Sequence, residues 1–91
     1  MKKIKYTPDA ANKLRAINKS ILIQYGGTKA KEIVGSITAA IRGLADNEFK
    51  GPSVERLFEV VSDYRYIYVS RNYVFYRIES DCIKIINIQI Y

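Results

Sequence analysis

Histidine and tryptophan are absent from this 91-residue sequence, and cysteine occurs once. The missing imidazole removes His-dependent metal sites and every Ser–His or Cys–His nucleophile pair, so hydrolysis of those kinds is excluded. Cys82 alone cannot make an internal disulfide, which fits a reducing compartment, and it reads as a small half-buried strand residue. No apolar run approaches the roughly 20 residues of a membrane span, and Met1-Lys2-Lys3 leads into a polar strand instead of an apolar signal segment. The expected location is therefore the cytoplasm. No phosphate-cradling glycine loop, zinc spacing or dinucleotide fingerprint is present, so no cofactor and no metal is expected.

Positive charge and tyrosine are plentiful instead. Fifteen Lys and Arg against nine Asp and Glu give a net charge of +6, which calls for an acidic partner, either nucleic acid or protein. Hydrophobic residues at 48% and charged residues at 26% are ordinary for a globular chain, and the length allows one domain over residues 1–91 with one modest core.

The segment Lys2–Tyr6 weakly alternates polar and apolar residues and reads as an added strand of a later sheet. Thr7-Pro8 marks a helix start. Ala11, Leu14, Ile17 or Asn18, Ile21, Leu22 and Tyr25 then make one apolar stripe, which predicts a first helix over residues 8–25. Gly26-Gly27 ends it in a left-handed turn, and Thr28 is expected to cap a second helix whose stripe is Ala30, Ile33, Val34, Ile37, Ile41 and Leu44. So short a connection makes an antiparallel helical hairpin over about residues 8–45. Its seam packs on the domain's own sheet, because these helices span too few heptads for an independent coiled coil.

Residues 46–53, DNEFKGPS, form the linker, and the sheet is expected over 54–91. Val54–Val61 reads as a further strand, with a helical turn as the alternative. Tyr64–Val69, Tyr73–Ile78 and Cys82–Tyr91 read as an antiparallel meander broken at Ser70-Arg71-Asn72 and Glu79-Ser80-Asp81. On the middle strand Val74, Tyr76 and Ile78 share the core side, while Tyr73, Phe75 and Arg77 share the wetter one. Along the last strand Ile83 and Ile85 have one parity and Ile86, Ile88 and Ile90 the other. This predicts either a strand covered on both faces or a bulge near Ile85 and Ile86. The fold class is α+β: an N-terminal strand and a two-helix hairpin packed on a C-terminal antiparallel sheet.

Arg56, Arg65, Arg71, Arg77 and Lys84 fall within or between the predicted strands, interleaved with Tyr64, Tyr66, Tyr68, Tyr73 and Tyr76. Arginine forks suit phosphates and ring faces suit unstacked bases, so these cations are the candidate target or nucleic-acid contacts. The alternative is that the tyrosines fit a half-exposed sheet and the arginines solvate it. Glu55, Glu59, Asp63, Glu79 and Asp81 form no catalytic pair, and the last two suit a turn.

Several short motifs resemble, in order and spacing, the RelE/ParE superfamily of bacterial type II toxin–antitoxin toxins. Tyr6-Thr7-Pro8-Asp9-Ala10-Ala11 resembles the family's entry to its first helix. Tyr25-Gly26-Gly27-Thr28-Lys29-Ala30 resembles its helix-to-helix turn, and Ile37 through Leu44 its second helix. Lys50-Gly51-Pro52 resembles the Gly-Pro after that helix, and Tyr64-Arg65 with Tyr73–Glu79 its strand signature, "Y-R … Y-R-I-x-Y-R-I-E".

The resemblance implies a growth-inhibiting toxin, a cognate antitoxin that lays a helix or strand on the hairpin or the sheet edge, and operator DNA bound only through the toxin–antitoxin complex. A ParE-like member would inhibit DNA gyrase without chemistry of its own, and the Gly-Gly-Thr hairpin is similar to that branch. A RelE-like member would instead be an endoribonuclease cutting mRNA on the ribosome. Arg65, Arg71 and Arg77 would then hold phosphates, with Tyr91 or another Tyr stacking on a base. A third reading is a truncated or inactive toxin that keeps antitoxin binding. Many relatives carry a His or a basic run after the last strand where this chain has Ile90-Tyr91, which counts against nuclease activity. Asn72 replaces their Gly or basic residue, a change expected to matter little in a turn.

Overall fold

The computed structural model describes residues 2–59 and 61–90. A first strand, β1 (Lys3–Tyr6), leads into the helices α1 (Pro8–Tyr25) and α2 (Gly27–Gly43) and a single helical turn α3 (Glu55–Phe58). Three strands follow: β2 (Tyr64–Val69), β3 (Asn72–Ile78) and β4 (Cys82–Ile90). The sheet order is β1-β4-β3-β2. β2, β3 and β4 are antiparallel neighbours, as expected of the C-terminal sheet, and the added strand β1 joins β4 in parallel. None of the helices in the described residues is long and apolar enough to cross a membrane.

The helix start at Thr7 is also a junction with the sheet. Thr7 Oγ1 accepts the Ala10 N–H at 3.1 Å, caps α1, and donates its own proton to the Ile86 carbonyl at 2.8 Å. Ile86 is the extra residue of a bulge: Phe75 pairs with Asn87 and Tyr76 with Ile85, so one position of β4 has no opposite number. A bulge leaves backbone groups unpaired. Here Thr7 takes the Ile86 carbonyl, and the Asn87 side chain accepts the Ile88 N–H at 2.9 Å. The phase change accounts for the isoleucine pattern, because Ile83, Ile85 and Ile88 are all fully buried. β4 is an inner strand of the sheet, yet the helices cover only one of its faces, so of the two sequence alternatives the bulge is the one that holds.

The turn between helices is tighter than expected. Gly26 alone, at φ +89°, ends α1 and begins α2: its N–H reaches the Leu22 carbonyl and its own carbonyl accepts the Ala30 N–H. Positive φ costs glycine nothing and other residues considerably more. Gly26 therefore takes the cap assigned to Thr28, which sits inside the first turn of α2.

Both helices lie on one face of the sheet. Ile17, Ile37, Ile41 and Leu44 pack with Val74, Tyr76, Ile83, Ile85 and Ile88 in one core. The stripe of α1 is buried at Ile17 and exposed towards its end, with Leu22 and Tyr25 49% and 69% accessible. The strand expected over Val54–Val61 is absent from the described residues; Val60 lies outside them, and the sheet resumes at Tyr64. Local bonds close a helical turn there instead. Ser53 Oγ accepts the Glu55 N–H at 3.2 Å, the Glu55 carboxylate accepts the Ser62 N–H at 3.0 Å, and Glu59 turns left-handed at φ 55°. Such side-chain bonds compete directly with strand pairing.

The linker is fastened to the sheet by Tyr76, which is fully buried. Its hydroxyl accepts the Gly51 N–H at 3.0 Å and donates to the Glu48 carbonyl at 2.8 Å. A Cβ on Gly51 would overlap the Tyr66 carbonyl, so only glycine fits. Tyr76→Phe strands a buried N–H and should cost roughly 1–3 kcal/mol, seen as a lower urea midpoint. Gly51→Ala should also destabilise the chain, by overpacking against the Tyr66 carbonyl. Unchanged midpoints for both would show that the linker is not held this way.

Candidate contact face of the sheet

Alternation along β2 and β3 divides their side chains between two faces. One is covered by the helices; the other carries Tyr64, Tyr66 and Tyr68 opposite Arg77, Phe75 and Tyr73. These rings hold one another. Tyr68 and Tyr73 lie 5.0 Å apart between centroids, Tyr66 and Tyr73 5.7 Å apart edge-on, and Tyr73 and Phe75 6.0 Å apart and stacked. Phe58 extends the cluster from α3, 6.4 Å from Phe75, and is itself 58% exposed. Aromatic contacts of this geometry add specificity beyond their buried area and leave a semi-rigid, sticky surface.

Beside the rings runs a row of cations. Arg77 lies opposite Lys84 in the β3–β4 pairing, and Lys84 opposite Lys5 in the β4–β1 pairing, so three positive charges occupy neighbouring strands on the same face. Like charges placed opposite each other are unfavourable. One of the three is compensated. Arg77 donates to Glu79 Oε2 from Nη2 at 2.6 Å and from Nε at 3.2 Å, and its guanidinium sits 5.7 Å from the Tyr64 ring centre. Neither Lys5 nor Lys84 forms an ion pair among the described residues.

The sequence-derived site therefore divides. Arg77 and Lys84 share the open face with Tyr64, Tyr66, Tyr68 and Tyr73, and Arg56 is exposed on α3 at its margin. Arg65 has the opposite parity. Its Nε donates to the Gly51 carbonyl at 2.6 Å and its guanidinium lies 5.3 Å from the Phe49 ring centre, so it fastens the linker. Tyr76 is in the core and belongs to no surface. Arg71 sits in the β2–β3 turn at φ 63°, remote from Arg77 at the far end of the strand. Tyr91 lies outside the described residues.

Lys5 and Phe58 were missed: the added strand and a helical turn are both legible in the sequence, but the register of β1 on β4 and the seat of Phe58 on Phe75 are not. Asn72 was misjudged as a turn residue. It is 4% exposed and its Nδ2 donates to the Ser70 carbonyl at 2.7 Å.

Ligand atoms of Glu79, Asp81 and Cys82 lie within 4.8 Å of one another. The chemistry of the set is nevertheless that of a salt-bridged turn. Glu79 is taken by Arg77, and the buried Cys82 thiol donates to Glu79 Oε1 at 3.4 Å. Burial first, then that carboxylate, pushes the thiol pKa up and keeps it protonated at neutral pH. Arg77 foremost, then the thiol, holds the Glu79 carboxyl below its ordinary range.

Comparisons with known proteins bear on this geometry. A family model described as the ParE toxin of the type II toxin-antitoxin system, parDE, matches residues 4–89. A solved structure titled as the chromosomal ParDE TA system from P. aeruginosa superposes with a TM-score of 0.81 at 22% identity, covering 100% of this chain and 98% of that one. None of the curated proteins matches the sequence.

The depressed pKa of Glu79 has a pH signature. Its contribution to stability is complete above the ordinary glutamate value of about 4.3 and is lost as pH falls through the lower folded value. The melting temperature of the wild-type chain should thus drop more steeply in acid than that of Glu79→Gln, with the two curves parallel above about pH 6. Curves parallel throughout would remove the Arg77–Glu79 pair from the account.

Proposed function

Because the chain belongs to the family of ParE toxins of type II toxin-antitoxin systems, we propose that it arrests bacterial growth by binding DNA gyrase through the open face of its sheet, and that a cognate antitoxin neutralises it. The observation that carries this reading is the character of that face. Interlocked rings and a row of cations offer area and charge for a macromolecular partner. The Glu79 carboxylate is committed to Arg77, and the Cys82 thiol to Glu79. The sequence supplies no histidine. Those features support binding as the mode of action.

A ribonucleolytic reading needs Arg65, Arg71 and Arg77 around one phosphate. Arg65 faces the linker, and Arg71 and Arg77 are separated by six residues, roughly 20 Å of extended strand. That separation favours the non-enzymatic reading.

The solved P. aeruginosa system is titled ParDE, which supports an antitoxin as the partner of this chain. The net charge of +6 favours an acidic one, and operator DNA would be reached only through that complex.

Purified chain added to a gyrase supercoiling reaction should inhibit it, and prior mixing with the antitoxin should restore it. Lys5→Glu with Lys84→Glu should weaken inhibition about tenfold or more, at a melting temperature close to wild type. Undisturbed supercoiling at saturating wild-type chain would refute the reading.

A further inference from the structure

The flank of the helical hairpin beside β1, on the helix side of the sheet and apart from the open face, carries a hollow of about 600 Å³. Its floor is Ala11 and Leu14 of α1 with Val34 and Gly35 of α2. Tyr6 marks the end next to β1 and Lys31 the end next to the turn between the helices, with Arg15 and Asn18 along the rim. Thr38 also lines it, but its hydroxyl proton goes to the carbonyls of Val34 and Gly35, at 3.0 and 3.2 Å.

Gly35 is the residue in this hollow that the fold does not account for. Glycine inside a helix weakens it relative to alanine. Its φ is not positive, and a Cβ there would meet nothing within 4 Å. Neither a turn nor a close internal contact calls for glycine, so what the missing side chain does is hold the groove floor open.

The rim carries charge of one sign. Among the described residues Arg15 and Lys31 are both exposed, neither forms an ion pair, and no carboxylate lines the hollow. Arg15 donates to the neutral Asn12 Oδ1 at 2.6 Å, which leaves its charge uncompensated. At the other end burial, the larger influence, raises the Tyr6 pKa against the opposing pull of Arg42, so the phenol keeps its proton at neutral pH. The dimensions are those of a small-ligand site. Residues 11–18 and 31–38 each cover about two helical turns, roughly 10 Å, whereas a docked helix of ordinary length runs about 15–20 Å. The volume falls within the range of about 300–1,000 Å³ usual for small-molecule pockets.

We propose that this groove binds a small amphipathic anion, a carboxylate or sulfonate carried on an apolar body no longer than roughly 10 Å. The body lies on Leu14, Val34 and the bare backbone of Gly35, and the head group lies between Arg15 and Lys31. The site is separate from the face assigned to gyrase and does not depend on that reading. A second copy of this chain has the wrong charge for the rim, since its own surface is basic.

The test titrates the full, isotope-labelled chain with 4-phenylbutyrate and follows the backbone amide shifts by NMR. The shifts should concentrate at residues 11–18 and 31–38 and saturate as a single site. Gly35→Leu, which fills the floor, and Arg15→Glu with Lys31→Glu, which reverses the rim, should each weaken binding about tenfold. The neutral 4-phenylbutyramide, with the same body and no charge, should also bind about tenfold more weakly. All three substituted positions are exposed, so the spectra should show each variant folded, and Gly35→Leu should melt no lower than wild type. Shifts on the open face, shifts spread without saturation, equal affinity for the amide, or wild-type affinity in Gly35→Leu would each overturn the proposal. A free chain that sediments as a dimer and is separated by Gly35→Leu would give the groove to a second copy. An antitoxin that binds wild type and not Gly35→Leu, while 4-phenylbutyrate moves no amide there, would give it to that protein. Either result overturns the small-anion site.

Discussion

The hydroxyl of Tyr76 is the point at which helices, linker and sheet meet. The segment after α2 has no ladder of its own, yet its backbone groups pass close under the sheet and must be bonded. Tyr76 takes the Gly51 N–H and gives its proton to the Glu48 carbonyl, Arg65 donates to the Gly51 carbonyl, and the Tyr66 N–H reaches the Pro52 carbonyl. Lys2 adds a last stitch, pairing with the Glu48 carboxylate at 2.7 Å and donating to the Glu79 carbonyl at 2.8 Å. Pulling the linker in at these points lets Ile37, Ile41 and Leu44 close over β3 and β4.

That fastening decides how the charged residues are shared out. Neighbouring positions on β2 point to opposite faces, so Tyr64 and Tyr66 look outward while Arg65 between them looks to the linker. The helices take the side that Arg65 faces, and the rings on the other side pack against each other and against Phe58 of α3. Cations on β1 and β4 line up beside them because the parallel pairing of β1 puts Lys5 level with Lys84. The result is one face suited to a large partner, and a separate short groove between the helices.

Much of this was legible from residue order. Thr7-Pro8 and the apolar spacing placed α1 at its observed bounds, and the isoleucine parity change in β4 signalled a bulge that the pairing of Phe75 and Tyr76 confirms. The split of β3 into a core side and a wetter side also held. Val54–Val61 allows a strand or a helical turn, and the local bonds of Ser53 and Glu55 select the turn. What escaped was whatever depends on distant partners. Arg65 reads as a surface phosphate ligand until the linker carbonyl is brought to it. Asn72 reads as turn punctuation until the hairpin closes on Ser70 and Arg71, both at positive φ, and carries it into the strand.

The account turns on whether Arg65 serves the fold or the target. Arg65→Gln, followed by urea unfolding and by gyrase inhibition per folded molecule, separates the two directly. If Arg65 holds the linker, the unfolding midpoint falls and inhibition by the folded fraction is unchanged. An unchanged midpoint with lost inhibition would mean that the guanidinium reaches the target, and would contradict the division of the sheet into a structural side and a contact side.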